Sequence, residues 1–377
     1  MATIIVVGLG AMGSATALQL ATRGHRVLGF DHFVPPHRQG SSHGHSRIIR
    51  QSYWEDPRYV PLLMRAYELW KKLEDDSGES LMRIVGGLMI GRPGGDLVTR
   101  SARSAELFSL PHELLSAAQI RRLYPAFQME DDWIGLWEAN AGYLRPEACI
   151  EQQLRLTASR GAELHFEEPI TKWSAHPGGV AVSTARGAYS GDSLVITAGP
   201  WSPQILKDLR IPLSITRQVV FWFEPKGHVD HFRPEQMPVY IREMAHAQPL
   251  LYGFPFTGPD SDGVKVALHG SNNFCTPETV DRTIGSQDER TIRESLSQAL
   301  PWLGGRLVHA ETCLYTMTPD EHFVIDKHPE FDHVLLAAGF SGHGFKFASV
   351  LGEVLADLVT DAKASYDMEL FSLRRFN

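Results

Sequence analysis

The sequence predicts a mixed α/β (α+β) fold. The segments that form a parallel sheet are interrupted along the chain by a second, mainly antiparallel domain. A buried strand, a glycine turn and a helix open the chain at 3–31, and the same succession recurs at 334–358. Between them, residues 163–269 show alternating apolar and polar positions without the strand–helix rhythm of a parallel sheet. We therefore expect separated pieces of the chain to assemble the parallel unit.

The N-terminal stretch has the pattern of a dinucleotide-binding turn. A β-branched run at 4–7 is typical of a parallel strand buried on both faces, and glycines in G-x-G-x-x-G spacing follow it. The glycines permit a tight turn and a close approach of backbone to a pyrophosphate, which the first N–H groups of the next helix bind. The predicted contacts are Gly8, Gly10, Ala11, Met12, Gly13 and, for the ribose hydroxyls, Asp31. The turn by itself fits NAD and FAD equally.

Two later glycine turns offer further backbone contacts to the same cofactor. The strand-like runs 193–197 and 334–338 each enter one of them. The predicted contacts there are Ala198, Gly199, Trp201, Gly342, Gly344 and Phe345. A chain of 377 residues exceeds what one core usually supports, so we expect two domains. The cofactor domain is predicted to comprise 1–80, 145–212 and 320–377, and the substrate domain 81–144 and 213–319.

Composition and charge exclude several classes of function. The chain has 44 acidic and 36 basic residues and a net charge of −8, which argues against nucleic acid or an anionic membrane as partner. No apolar run is long enough to span a bilayer, and the first strand begins at residue 3, so we expect no signal peptide and a cytoplasmic protein. Cys149, Cys275 and Cys313 are too few for a disulfide framework and lack metal-ligand spacing.

Cationic side chains follow the glycine-rich loops. Arg47 and Arg50 close a polar loop after the second strand, and Lys346 lies between two phenylalanines just after a glycine turn. A cation at a helix start opposes the helix dipole, so an anionic partner would account for Lys346. Because arginine binds a carboxylate through two parallel hydrogen bonds, we expect a small carboxylate substrate.

Three further polar residues allow two interpretations. Lys265 and His269 share one face of a predicted strand at 264–269, and such a pair most often lies on the solvent face of an edge strand. Cys313 lies in a polar stretch beside Tyr315, although a free cysteine is most often a small buried apolar residue. Periodicity alone favours the structural interpretation of Lys265 and His269.

Longer motifs carry a resemblance to a known family. They are GSSHGHSRIIR at 40–50, VKVALH at 264–269, CLYTMTPDEHFVID at 313–326 and AAGFSGHGFKFASVLGE at 337–353. Together they resemble the monomeric sarcosine oxidase and N-methyltryptophan oxidase family, flavoproteins of the D-amino-acid-oxidase-like group. The resemblance runs to FSLRRF at 371–376 and so covers essentially the whole chain. It implies a Rossmann-like FAD-binding domain with an inserted, mainly antiparallel substrate domain.

The resemblance also implies roles for individual residues. FAD is expected to be bonded covalently through the sulfur of Cys313, and the substrate carboxylate to be held by Arg50 and Lys346. Arg47 is expected beside the flavin ring, and Lys265 is expected to speed the reaction of reduced flavin with O₂. Further implied contacts are His269, Tyr315 and Tyr252 in the substrate pocket, and Ser42, Ser46, Arg47 and Lys346 at the cofactor. His269, Tyr315, Arg47 and Lys265 are the residues expected to act in catalysis.

This chain departs from the family pattern in two places. The first loop has Ser42 where the family has the first of two adjacent histidines, and His45 where it has an aspartate. The pocket segment 239–255 matches neither the sarcosine type nor the N-methyltryptophan type. The resemblance therefore predicts the reaction and leaves the side chain of the substrate open.

The function expected from these observations is oxidation of a secondary or N-methyl amino acid by a monomeric flavoenzyme. With sarcosine, O₂ and water the products would be glycine, formaldehyde and hydrogen peroxide. N-Methyl-L-tryptophan, pipecolate and proline are alternative substrates within the same family. An NAD-dependent dehydrogenase is an alternative of a different class, and a non-catalytic dinucleotide sensor is a third.

Overall fold

A computed structural model describes residues 1–244, 249–360 and 365–376. The helices are α1 (Ala11–Thr22), α2 (Val60–Ser77), α3 (Asp96–Leu107), α4 (Ala117–Leu123), α5 (Pro146–Ser159), α6 (Ser202–Ile205), α7 (Ser286–Ala299) and α8 (Ala348–Thr360). The strands are β1 (Thr3–Val7), β2 (Arg26–Phe30), β3 (Arg47–Ile49), β4 (Met82–Ile84), β5 (Gly87–Gly91), β6 (Glu113–Ser116), β7 (Ile134–Glu138), β8 (Gly142–Leu144), β9 (Glu163–His165), β10 (Lys172–His176), β11 (Gly179–Ser183), β12 (Ala188–Gly191), β13 (Ser193–Ile196), β14 (Ser214–Pro225), β15 (Val239–Arg242), β16 (Leu250–Gly253), β17 (Val264–His269), β18 (Phe274–Cys275), β19 (Leu303–Met317), β20 (Val324–His328) and β21 (Phe331–Ala338).

The predicted parallel sheet has the order β20-β21-β13-β1-β2-β9, in which only the β20–β21 pair is antiparallel. Side chains of β1 alternate between two cores. Ile4 and Val6 pack with apolar residues of α1, α2, α5 and α8, whereas Ile5 and Val7 face a core that includes the small sheet β10-β11-β12. The β-branched run is therefore buried on both faces, as its composition predicts.

The turn between β1 and α1 requires glycine at two positions for different reasons. Gly8 has a φ of +85°, a conformation that other residues adopt only with strain. A Cβ at Gly13 would collide with the backbone carbonyl of Gly8. Gly13 therefore lets the helix pack tightly against the strand, in the role predicted for it.

The second large sheet is mainly antiparallel, as expected, with the order β18-β14-β17-β16-β15-β5-β7-β6 and with β19 paired to β14. The β15–β5 pair is parallel. Leu303–Met317 forms a long strand that the sequence did not predict, because its polar residues hide any alternation. This strand carries Cys313 opposite Gln218 of β14.

The strands of the two sheets come from different parts of the chain. All strands of the parallel sheet lie within 1–80, 145–212 and 320–377, and all strands of the antiparallel sheet lie within 81–144 and 213–319. A small sheet β3-β8-β4 joins strands from both sets of segments. The domain boundaries stay a prediction; Arg47 lies in β3 and Arg50 directly after it, where the two sets of segments meet.

Two local expectations differ from the structure. The solvent-face interpretation of Lys265 is wrong, because β17 lies between β14 and β16 rather than at an edge and Lys265 is 1% exposed. The apolar run 84–91 (IVGGLMIG) predicts a single strand, but a turn at Gly86, which has a φ of +77°, divides it between β4 and β5. Residues 245–248 of the predicted pocket segment lie outside the described residues. No described helix is long and apolar enough to cross a membrane.

Candidate cofactor and substrate site

A cavity of about 330 Å³ opens where the parallel strands end. Gly8 follows β1 in its wall, Asp31 follows β2, and Ala198 comes shortly after β13. Ligands of open parallel sheets bind in this crevice, beyond the carboxyl ends of the strands. We call it the cofactor cavity.

The wall of the cofactor cavity presents polar groups that suit a dinucleotide. Helix α1 begins after Gly10 without a side-chain cap, and a Cβ at Gly10 would meet open space. The hydroxyl of Thr316 is buried in the wall and has no hydrogen-bond partner among the described residues. Uncapped N–H groups at a helix start bind a pyrophosphate, and a buried hydroxyl without a partner is costly unless a ligand satisfies it. The residues present therefore fit FAD.

Asp31, for which the sequence predicts a contact to ribose hydroxyls, has a structural role in the glycine turn. Its Oδ2 accepts a hydrogen bond of 2.7 Å from the Leu9 N–H, and its Oδ1 accepts one of 2.9 Å from the Phe33 N–H. The carboxylate thus ties the glycine turn to the end of β2 while it lines the cavity. Each of its oxygens retains a lone pair for a ribose hydroxyl.

A smaller cavity of about 80 Å³ adjoins the first, and we call it the substrate cavity. Arg47, Tyr315, Gly342 and Phe345 line both cavities. A ligand in the substrate cavity would therefore lie next to one end of a ligand in the cofactor cavity.

A buried ion pair dominates the substrate cavity. The Arg50 Nη2 donates to both carboxylate oxygens of Glu55, at 2.9 and 2.7 Å, and the guanidinium lies over the ring of Tyr53. Arg50 is 2% exposed and Glu55 10%. Burial opposes the ionisation of Glu55, but the positive charges around it, that of Arg50 foremost, hold the pKa of this carboxyl below its usual value.

Lys346 lies beside the same pair. Its Nζ donates to the carbonyl of His343 at 2.7 Å and lies 5.3 Å from the centre of the Tyr53 ring. Burial lowers the pKa of Lys346 to about 7; Arg50 contributes to the fall and Glu55 opposes it. With Lys346 protonated, the described cavity wall holds two cations and the carboxylate of Glu55, while the buried Glu138 acts on Arg50 from outside the wall, so the wall itself carries a positive charge that favours a further anion.

Two histidines of this pocket are neutral. Burial lowers the pKa of His343 to about 3 and that of His269 to about 4. The His343 Nε2 is 2.9 Å from the carbonyl of Glu321, so it carries the proton, and Nδ1 accepts from the Tyr53 hydroxyl at 2.6 Å. His269 packs against Tyr315 and Tyr252 in the cavity wall.

Arg47 connects the cavities to Cys313. Its Nη1 and Nη2 donate to the carbonyls of Ser46 and Ser41, both at 2.8 Å, and Nη2 lies 3.8 Å from the sulfur of Cys313. Burial raises the pKa of the Cys313 thiol, and the positive charges of Arg47 and Lys265 oppose that rise. Charges of this kind favour the thiolate, which is the reactive form of cysteine.

Lys265 is buried behind this wall. Its Nζ donates to the carbonyls of Gly44 at 2.6 Å and Ser46 at 2.8 Å, and it lies 4.8 Å from the ring centre of Phe254. Burial lowers the pKa of Lys265 well below its usual value, and Arg47 lowers it further. The ammonium therefore holds the loop that leads into Arg47.

The structure brings most of the predicted site residues together. Predicted residues in the wall of the cofactor cavity are Gly8, Gly10, Ala11, Met12, Asp31, Ser42, Arg47, Ala198, Gly199, Trp201, Tyr315, Gly342, Gly344 and Phe345. Those in the wall of the substrate cavity are Arg47, Arg50, Tyr252, His269, Cys313, Tyr315 and Lys346. The described walls do not include Gly13, Ser46 or Lys265.

Sequence reasoning missed several residues of the substrate cavity. They are Trp54, Glu55, Gln218, Val220 and His343, whereas Ile241 and Leu250 lie within the predicted pocket segment 239–255. An acid five positions after a buried arginine was a readable signal for Glu55, and His343 lies inside a motif already singled out. The apolar residues carry no local signal that distinguishes a cavity wall from a core.

Comparisons with known proteins agree with this geometry. Residues 3–358 match the family described as FAD dependent oxidoreductase. A monomeric sarcosine oxidase of Streptomyces avermitilis is 48% identical, with 99% of this chain and 97% of that protein covered. A monomeric sarcosine oxidase of Bacillus sp. (strain NS-129) is 38% identical, with coverage of 99% and 96%. An N-methyl-L-tryptophan oxidase of Yersinia pestis (strain Pestoides F) is 36% identical, with 99% of each chain covered.

Solved structures with little sequence identity share the fold. NikD, described as an unusual amino acid oxidase, superposes in its open form with a TM-score of 0.85 at 23% identity, covering 98% of this chain and 97% of that one. An L-proline dehydrogenase from P. horikoshii gives 0.84 at 22% identity, covering 99% and 97%.

The family match decides the question that the glycine turn left open. NAD and FAD use the same turn, and a family of FAD-dependent enzymes that spans residues 3–358 assigns FAD and sets the NAD-dependent dehydrogenase aside. The chain therefore belongs to the family of FAD-dependent oxidoreductases that includes the monomeric sarcosine oxidases and the N-methyl-L-tryptophan oxidases.

Proposed function

We propose that this protein is a sarcosine oxidase, which converts sarcosine, O₂ and water to glycine, formaldehyde and hydrogen peroxide. The observation that carries the proposal is the pairing of two buried cations, Arg50 and Lys346, in a cavity of about 80 Å³ that adjoins a cavity fit for FAD. The names of relatives that are 48% and 38% identical support it. N-Methyl-L-tryptophan is the second candidate, because relatives named for that substrate are 36% identical.

The carboxylate of the substrate would be held by Arg50 and Lys346. In the free protein, Arg50 is engaged by Glu55 and Lys346 by the His343 carbonyl. An incoming carboxylate therefore competes with internal partners, and the positive charge of the cavity wall makes up for part of that competition. Arginine suits this role because its planar group binds both oxygens at once.

The amine of the substrate would be bound in its neutral form. Positive charges nearby lower the pKa of an amine, and the neighbouring His269 is neutral and adds no negative charge. Apolar groups of Trp54, Ile241 and Leu250 in the cavity wall leave little room for water beside it. A neutral amine has the lone pair that stabilises the developing positive charge when the adjacent C–H bond is broken.

When bound, FAD would supply the redox chemistry: the C–H bond beside the nitrogen would lose a hydride equivalent, which leaves the substrate as an imine, and the two electrons would pass to O₂ to give hydrogen peroxide. The chain's own contribution is to bind and orient the amino acid. Water then hydrolyses the substrate imine to glycine and formaldehyde. Arg47 lines both cavities and would stabilise negative charge that develops on oxygen, and Lys265, buried behind it, would add to this effect when its amine is protonated.

We infer that Cys313 carries FAD covalently. Cys313 lies in the wall of the substrate cavity, and its sulfur is 3.8 Å from Nη2 of Arg47, a residue that lines both cavities. In the purified holoenzyme, yellow colour should remain with the acid-precipitated polypeptide. In Cys313→Ala the precipitate should be colourless, whereas Cys275→Ala should behave like the wild type. Release of all flavin from the wild type by acid would contradict the linkage.

We infer a monomer acting on a small amino acid and O₂, from the name of the monomeric relatives and the enclosed cavities within one chain. Light scattering during size-exclusion chromatography measures the mass against 42.0 kDa for one chain. A cytoplasmic location stays a prediction from the sequence, as do the domain boundaries.

Substrate oxidation is tested with a panel of amines. The holoenzyme is supplied with sarcosine, N-methyl-L-tryptophan, L-proline and L-pipecolate, and oxygen uptake and peroxide are measured together. We expect sarcosine to give the highest kcat/KM, with peroxide formed in proportion to the oxygen consumed. A yellow protein that yields no peroxide from any of the four would contradict the proposal and favour a non-catalytic sensor.

A further inference from the structure

The substrate cavity has an apolar wall on the side that is formed by the loop after Arg50. Trp54 lines this cavity and is half-buried. It packs against a cluster that contains Met89 and Leu250, and Leu250 and Ile241 line the same cavity. The indole thus belongs both to the packing of the antiparallel sheet and to the space where the substrate would lie.

The backbone on both sides of Trp54 is anchored to helix α3. The Ser104 hydroxyl donates to the carbonyl of Tyr53 at 2.6 Å, and the Arg100 Nη2 donates to the carbonyl of Glu55 at 2.5 Å. Just before them, both carboxylate oxygens of the buried Glu138 accept the N–H groups of residues 51 and 52, at 2.6 and 2.8 Å. A side chain on so constrained a backbone is held in place, because moving it would break several hydrogen bonds.

The volume of the substrate cavity limits the size of a ligand that Arg50 and Lys346 can bind. Pockets for drug-sized ligands measure roughly 300–1,000 Å³, whereas this cavity measures about 80 Å³. Once Arg50 and Lys346 hold a carboxylate, a side chain on the α-carbon must share the remaining space with the N-methyl group. The indole of Trp54 takes up part of that space.

We propose that Trp54 is a specificity-determining residue, which restricts the enzyme to N-methyl amino acids with no side chain or a very small one. This inference rests on the proposed function and names the substrate class within it. A hydrophobic pocket discriminates by roughly 10–200-fold for each methylene that it cannot accommodate. An aromatic α-substituent should therefore be excluded almost completely until the indole is removed.

The test compares sarcosine, N-methyl-L-alanine and N-methyl-L-phenylalanine as substrates of the holoenzyme. In Trp54→Ala we expect the ratio of kcat/KM for N-methyl-L-phenylalanine to that for sarcosine to rise by about 30-fold or more. Trp54→Phe should give a smaller rise in the same direction. Trp302→Ala is the matched control, because Trp302 is 43% exposed and lies outside both cavity walls, and its ratio should stay at the wild-type value.

Binding without turnover gives a second readout. Phenylacetate and acetate share the carboxylate and differ in bulk, so their inhibition constants against sarcosine report the space beside the cations. We expect the preference for acetate to shrink in Trp54→Ala and in Trp54→Leu, and the latter serves if the alanine variant does not fold.

The outcomes separate this inference from the proposed function. A wild type that oxidises none of the three amines contradicts the proposed function. A wild type that oxidises sarcosine contradicts the inference if it already accepts N-methyl-L-phenylalanine comparably, or if the Trp54→Phe and Trp54→Leu ratios equal that of the wild type.

Discussion

The two cavities of this protein are built on opposite principles. The wall of the cofactor cavity is formed at glycine turns, where helix α1 starts without a cap and the Thr316 hydroxyl has no described partner. In the substrate cavity, the cations already have partners: Arg50 binds Glu55 and Lys346 binds the His343 carbonyl. One cavity presents backbone and hydroxyl groups to a ligand, whereas the other satisfies its own charges.

The difference explains how each cavity selects its occupant. Exposed backbone groups bind any dinucleotide of the right shape, and a covalent bond at Cys313 would make that choice permanent. Paired charges admit only a ligand that replaces an internal partner, so binding depends on the balance between the substrate carboxylate and Glu55. Specificity in the substrate cavity should therefore respond to changes in charge that leave the cofactor untouched.

Substitution of Arg50 should have the largest effect on one cavity, that for the substrate, while it leaves the other unchanged. We expect Arg50→Gln to lower kcat/KM for sarcosine by about 1,000-fold, because a buried charge-assisted pair to a carboxylate is lost. Flavin content should stay at the wild-type value, since Arg50 lines the substrate cavity alone. Steady-state kinetics and the absorbance of bound flavin measure the two effects. Loss of flavin together with activity would show that the cavities are not independent.

The same substitution leaves Glu55 buried without its partner, and a double variant controls for this effect. Breaking a buried pair by removing one member costs roughly 3–5 kcal/mol, so Arg50→Gln should also lower the thermal midpoint. Arg50→Gln with Glu55→Gln should recover most of the midpoint and none of the kcat/KM. Recovery of activity in the double variant would mean that Arg50 serves stability alone.

Substitution of Lys265 tests whether this buried amine acts on the reaction itself or only holds the loop that leads into Arg47. Its ammonium bonds the carbonyls of Gly44 and Ser46, yet the family resemblance assigns it a role with O₂. If the resemblance holds, Lys265→Met should slow the oxidative half-reaction by about 100-fold and the reductive one far less. Stopped-flow measurements with sarcosine and then with O₂ separate the two. An equal loss in both would identify Lys265 as a residue that positions the Arg47 loop.

The cofactor cavity could be read from the sequence because its signals are local. The strand, the glycine spacing and Asp31 all lie within 3–31, and the structure places them as predicted. Whether Lys265 is buried depends instead on β14 and β16, which lie on either side of it and are distant in the chain. Strand position within a sheet is not encoded in the alternation of one strand, so the solvent-face interpretation was wrong.

The substrate cavity was only half predictable for the same reason. Motifs pointed to Arg50 and Lys346, but not to their engagement with Glu55 and His343. Each of these pairs lies within one loop, Arg50 with Glu55 after β3 and Lys346 with His343 before α8, whereas the meeting of the two loops, which forms the cavity, has no local pattern. Trp54 was missed because a tryptophan beside a core cluster has the same local sequence whether or not it faces a cavity.

The pH dependence of carboxylate binding is the smallest expected effect. It tests whether the charge of Lys346 contributes to binding. The pKa of Lys346 is about 7, so its ammonium is present below that pH and is lost above it. Affinity for a carboxylate without an amine, such as acetate, should be constant below pH 7 and should then fall by up to about tenfold per pH unit. The neutral histidines do not contribute, because the pKa values of His343 and His269 are about 3 and 4. In Lys346→Met acetate should bind more weakly at every pH, and its inhibition constant should not change between pH 6 and 9. A wild-type constant that is equally flat would mean that Lys346 stays protonated, and that Glu55 and the substrate cavity stabilise its charge more than burial opposes it.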